Sequence, residues 1–230
     1  MAQGQDVNKG KVIQIFQSLA RLYRSYATLH FSVLYRFASE ENPGVTMDSL
    51  KGEFTMSGDK YRYVLDSTEF IGDHELSLAL YRQDALMMLK RQVKGVQGNN
   101  PLVMPDSLML KNESIRYRLE ETNDRQTIIL TYPPGLPTKR MEYIIDRKSG
   151  LILKMISIVS AKELYDPSVR SLVTDGPTYA IVETILGDYR VNEPGLPEPD
   201  IYTYIKKEGK TYKPLHPYED FKIALNSSDL

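Results

Sequence analysis

From Lys11 to Ala27 apolar residues fall at Val12, Ile15, Phe16, Leu19, Leu22, Tyr23 and Tyr26, the three-and-four spacing of a helix with one buried stripe. Gln14, Gln17, Arg21, Arg24 and Ser25 occupy its other face. Asp6 or Asn8 offers a cap, and Gly10 places the regular part after it. A membrane-surface helix would carry more lysine, so the stripe is expected to pack on the domain's own sheet.

The period then changes to two. Leu29, Phe31, Val33, Tyr35 and Phe37 alternate with Thr28, His30, Ser32, Leu34 and Arg36, which predicts a strand with one apolar face and leaves His30 at the surface. A turn-rich stretch from Ser39 to Asp48 leads to a second strand with Leu50, Phe54 and Met56 on one face. Ser57-Gly58-Asp59-Lys60 reads as a hairpin turn into Tyr61, Tyr63 and Leu65. Phe70-Ile71, then Leu76, Leu78 and Leu80, then Leu86 to Val93 continue an antiparallel meander.

Lys94 to Asp106, with Pro101 and Pro105, predicts a loop or short helix. Strands resume at Ile115–Leu119, Ile128–Tyr132, Met141–Asp146 and Leu151–Ser160, the last apolar on both faces and therefore central. Ala161 to Pro177 is irregular, and a long strand from Tyr179 to Tyr189 follows. Three prolines between Asn192 and Asp200 make a connector, and Ile201 to Leu225 reads as a closing hairpin plus a last strand. The expectation is an α+β, β-dominated fold: one N-terminal amphipathic helix on a curved antiparallel sheet. Residues 1–230 are read as one domain, with 1–10 as a flexible N-terminus, 11–191 as the core and 192–230 as connector and C-terminal extension.

Composition narrows the chemistry. Twenty-nine basic and thirty acidic residues give a net charge of -1 over 230 residues, well mixed, so no positive field suited to nucleic acid is present. There is no cysteine, which removes thiol nucleophiles, disulfides and Cys-built zinc sites. His30, His74 and His216 lie in distant segments, and no metal or cofactor is expected. No Gly-x-Ser-x-Gly or Gly-x-Gly-x-x-Gly occurs, Gly209-Lys210-Thr211 lacks the glycine five positions earlier that a phosphate loop requires, and Glu40-Glu41 and Glu120-Glu121 point to opposite strand faces. The reading is non-enzymatic. No apolar run is long enough for a membrane-spanning helix, and the first six residues carry no signal peptide.

What stands out is apolar strand surface with one helix to cover it. It must be closed by side chains, by the helix or by a hydrophobic ligand. Phe31, Val33, Tyr35, Phe54, Met56, Tyr61 and Tyr63 alternate in step along three consecutive strands, so they form one surface and are the candidate ligand-binding residues.

The ordered set Gly-Asp-Lys-Tyr-Arg-Tyr (58 to 63), Glu-Phe-Ile-Gly-Asp (69 to 73), Leu-Ala-Leu-Tyr (78 to 81), Asp84 and Met87-Met88-Leu89 resembles the periplasmic outer-membrane lipoprotein carrier (LolA-like) family. The resemblance extends through Pro101 and Pro105 to Tyr117, Leu130-Thr131-Tyr132-Pro133 and Ile144-Ile145-Asp146, covering roughly residues 11–190. Ala79 stands where that family has an aromatic. The resemblance implies an incomplete β-barrel with short lid segments. It also implies a cavity for lipoprotein acyl chains or lipid, and residence in the periplasm or cell envelope of a Gram-negative bacterium. The alternative is an interaction module whose cavity is filled by side chains, with an envelope protein as partner.

Overall fold

The computed structural model describes residues 3–92, 100–102, 104–105, 110, 112–165, 178–209 and 211–226, with side chains from residue 9 onward. The helix α1 (Gln3–Ser25) is followed by β1 (Thr28–Ser39), β2 (Asn42–Ser57), β3 (Lys60–Leu65), β4 (Thr68–Gly72), β5 (Leu76–Tyr81) and β6 (Leu86–Arg91). The chain continues with β7 (Arg116–Glu121), β8 (Arg125–Thr131), β9 (Thr138–Asp146), β10 (Ile152–Ser160) and β11 (Tyr179–Val191). β12 (Ile205–Glu208), β13 (Thr211–Pro214) and β14 (Lys222–Leu225) complete it.

Twelve strands hydrogen-bond in the order β14-β6-β5-β4-β3-β2-β1-β11-β10-β9-β8-β7. Among the described residues the outermost strands, β14 and β7, do not pair with each other, so the sheet is not closed, as an incomplete barrel requires. β14 joins β6 in parallel, whereas the ladders from β2 to β6 and from β7 to β11 are antiparallel. The fold is α+β and β-dominated, as the alternation predicts.

The chain divides into two compact units: residues 1–25, 34–50 and 104–187, and residues 26–33, 51–103 and 188–230. In the first unit α1 supplies Val12, Phe16, Leu19 and Tyr23, all at most 5% exposed. Phe16 meets Tyr143 edge-on at 5.0 Å, and Ile152 donates its backbone N–H to the Tyr23 hydroxyl at 3.0 Å. Gly150 has φ +73° and lies so close to Leu22 that an added Cβ would come within 2.9 Å of it. The turn into β10 therefore demands glycine both for its backbone and for the helix resting on it.

In the second unit β3 to β6 carry apolar residues on both faces. One face, with Ile71, Leu76, Leu78, Leu80, Met87 and Leu89, is covered by the C-terminal segment through Ile201 and Ile205, with Tyr204, Tyr212, Tyr218, Phe221 and Ile223 packed around them. The hairpin β12–β13 and the strand β14 are thus where the tail pattern places them.

Three local expectations change. The turn after β1 is confined to Glu40-Glu41, and β2 begins at Asn42 inside the stretch read as turn-rich. β3 pairs only with Gly52–Ser57, so Pro43 lies beyond that ladder, where a missing N–H breaks no bond to it. The helix begins at Gln3, ahead of Gly10. His30 is buried, not at the surface: its Nδ1 sits 2.9 Å from the Thr55 hydroxyl on β2, a polar partner that makes a central-strand histidine tolerable. Most of the expected break at Lys94–Asp106 and most of the irregular stretch to Pro177 lie outside the described residues.

Candidate functional site

The pairing register decides which side chains share the face opposite the tail. Phe54 pairs with Tyr63, Tyr63 with Phe70, Phe70 with Ala79 and Ala79 with Met88, one residue from each of β2 to β6. Rings fill the first part of this row. Tyr189 lies 5.3 Å from Phe31, Phe31 5.1 Å from Phe54, Phe54 6.1 Å from Tyr63, and Tyr63 6.1 Å from Phe70. Five aromatics on five strands therefore run across the second unit, at separations where offset and edge-on ring pairs are attractive.

The row then changes character. Ala79 follows Phe70, and Met88 follows Ala79; all three are only half-buried, whereas Phe31, Phe54 and Tyr63 are nearly inaccessible. A methyl between a ring and a thioether leaves a low point in an apolar surface, and methionine is the side chain best able to adapt its shape beside it.

The adjacent row shows how the surface is bounded. Met56 pairs with Tyr61, Tyr61 with Gly72 and Gly72 with Ser77. The Tyr61 hydroxyl reaches across to the Ser77 hydroxyl at 2.9 Å, so its ring lies over Gly72, where an added Cβ would come within 3.0 Å of it. Burial pushes the Tyr61 phenol above its ordinary value, with the Ser77 bond opposing, so it stays neutral at ordinary pH. The row ends at exposed Lys90 on β6, which pairs with Ser77 and puts a lysine at the edge of the apolar surface.

Of the seven sequence candidates, Phe31, Val33, Phe54 and Tyr63 are buried in the second unit, and Met56 and Tyr61 are half-buried there. Tyr35 belongs to the first unit, where it stacks on Phe37 at 6.4 Å. The candidate set omits Phe70, Ala79, Met88 and Tyr189. The same alternation carried further along the meander finds the first three; Tyr189 requires knowing that β11 lies beside β1.

On the tail-covered face sits a buried carboxylate, Glu69, 1% exposed. It accepts hydrogen bonds from Arg62 Nε at 2.5 Å, from Arg82 at 2.7 Å and from the Tyr204 hydroxyl at 2.5 Å. Burial pushes its pKa up, but these donors outweigh burial and hold it below the usual carboxylate range. A carboxylate so completely engaged fastens the tail to the sheet and is not free to act as an acid or base. Among the described residues no three His, Asp or Glu side chains gather as a metal site would require, and no helix is long and apolar enough to cross a membrane.

No family model and no curated protein matches the sequence. Solved structures similar to this chain include an uncharacterized conserved protein from Thermus thermophilus, with 10% identity, TM-score 0.48, and coverage of 91% of this chain and 98% of that one. The Mycobacterium tuberculosis lipoprotein LppX has 10% identity and TM-score 0.44, over 81% of this chain and 98% of its own. A LolA superfamily protein from Nitrosomonas europaea has 11% identity and TM-score 0.33, over 79% and 94%.

Proposed function

We propose that this chain is a non-enzymatic cell-envelope protein that holds a hydrophobic ligand, an acyl chain or lipid, against the aromatic face of its second unit. One observation carries the reading: a continuous ring row ends in half-buried Phe70, Ala79 and Met88, while the reverse of the same strands is sealed by the tail. Such a surface recognises a ligand by burying methylenes, each worth ~0.8 kcal/mol before association costs are subtracted. The sequence resemblance to lipoprotein carriers points the same way and suggests a periplasmic or envelope setting.

The test is titration of the purified full chain with a fluorescent fatty acid, alongside native mass spectrometry for co-purified lipid. Saturable binding in the micromolar range, about -8 kcal/mol, is expected. Ala79→Phe extends the ring row into its low point and should weaken binding at least tenfold with the fold retained. Met56→Lys, which brings an ammonium to the same face, should do likewise. No saturable binding and no retained lipid would end this reading.

A second reading has its own support. Phe31, Val33, Phe54 and Tyr63 are 0–4% exposed, covered by the protein's own side chains, which favours a closed face. In that case the chain is an interaction module for an envelope protein partner, and Ala79→Phe should stabilise it by packing while changing no lipid signal.

A further inference from the structure

We propose that the first unit carries a phosphate-binding groove, independent of the apolar face described above. Arg116 on β7 pairs with Thr131 on β8, and Thr131 pairs with Arg140 on β9, so one row across three strands reads Arg-Thr-Arg. The next row places Arg118 beside Ile129 and Ile129 beside Glu142. Because side chains of a row share a face, the arginines of adjacent rows converge. They line a groove of about 340 Å³, with Thr131 and buried Ile129 between them.

The charge in this groove is incompletely answered. Arg118 pairs with Glu120 at 2.6 Å, and Arg140 gives Nη2 to Glu142 at 2.8 Å. Arg116 has no carboxylate partner among the described residues, so the groove keeps an excess positive charge. Arg140 also holds its Nε away from water with no hydrogen-bond acceptor. A guanidinium donor removed from water and left unpaired is rare in a folded protein, and turning the side chain to meet an oxyanion in the groove would relieve it. The planar donors of two arginines on either side of a threonine hydroxyl suit the tetrahedral oxygens of a phosphate, which arginine binds through paired N–H groups. β7 is the outermost strand of the sheet, so a phosphate attached to a larger body can reach the groove from the open side.

The shared chemistry is a phosphate or phosphate ester, and the experiment separates its sources. The full chain is titrated calorimetrically, at fixed ionic strength, with inorganic phosphate and with glycerol phosphate. It is also co-sedimented with phosphatidylglycerol vesicles and with phosphatidylcholine vesicles as the neutral-headgroup comparison. Saturable binding to at least one of the anionic probes is expected. Arg116→Gln should weaken it at least tenfold and Arg140→Lys should weaken it too, whereas Arg24→Gln, at an exposed site on α1, should change it less than twofold. Preference for the small anions assigns free phosphate, and preference for phosphatidylglycerol vesicles assigns a lipid headgroup; both support the groove. Arg116 is exposed, so its variant is expected to fold whatever becomes of Arg140, and thermal melts verify this. Absence of binding to all three anionic probes, or equal binding by wild type and Arg116→Gln, overturns the proposal.

Discussion

The Tyr204 hydroxyl donates to the Glu69 carboxylate at 2.5 Å across 135 positions of sequence, and Arg62 and Arg82 complete the set. Removing one donor from a buried ionised group should cost about 1.5–3 kcal/mol. Tyr204→Phe is therefore expected to lower stability in denaturant melts and to speed amide exchange over residues 201–225. Exchange unchanged from wild type would show that the tail is held by its apolar contacts alone.

The same cluster sets a pH window. Glu69 titrates below its ordinary value in the folded chain, so its contribution is present above that value and fades as pH falls through the lowered one. Tyr204 moves oppositely: burial, with the Glu69 bond adding to it, raises its phenol to about 12. Its contribution is present below the ordinary tyrosine range and is lost as pH rises through about 12. Melting the wild type and Glu69→Gln across pH should show the variant losing the acid-side slope; parallel curves would refute the assignment.

His30 supplies a second, separate slope. Burial first, then the Arg190 charge, lowers its pKa below the ordinary 6.5, so neutral histidine is the stabilising form. That contribution is present above 6.5 and is lost as pH falls through the lowered value. NMR titration of the His30 ring should give a midpoint below 6.5, and a midpoint at or above it would count against the burial of the ring.

Gly72 is held between a backbone and a ring. A Cβ there would stand 2.7 Å from the Leu76 carbonyl oxygen and 3.0 Å from the Tyr61 ring and hydroxyl. Gly72→Ala should destabilise by ~1–3 kcal/mol as β4 and Tyr61 are forced apart. Tyr61→Phe, which removes only the Ser77 bond, should cost ~0.5–1.5 kcal/mol. If the order of the two variants were reversed in denaturant melts, the contact over Gly72 would not be the limiting one.

Phe16 tests the helix. It is 3% exposed and meets Tyr143 edge-on, so Phe16→Ala should cost ~3–5 kcal/mol. A loss below ~0.5 kcal/mol in equilibrium unfolding would mean that α1 contributes little to the first unit.

Local periodicity is a property of neighbouring residues, so most elements and the apolar face of each are readable from the chain alone. A three-and-four stripe put Val12, Phe16, Leu19 and Tyr23 on one side of α1, and a period of two put Phe31 and Val33, and likewise Phe54 and Tyr63, on common faces. The two-residue turn at Gly58-Asp59 and the hairpin in the tail were legible for the same reason. The relations between distant strands come from long-range pairing instead. That β11 lies beside β1, that the tail seals the Ile71 face and leaves the Phe70 face, that Tyr204 finds Glu69, and that Arg116, Thr131 and Arg140 form one row are consequences of pairing. Strand alternation says which side chains agree along one strand, but it carries no label for which strand comes next to it. His30 shows the limit: its polar position pointed outward, and only the arrival of Thr55 from another strand gave the buried ring a partner.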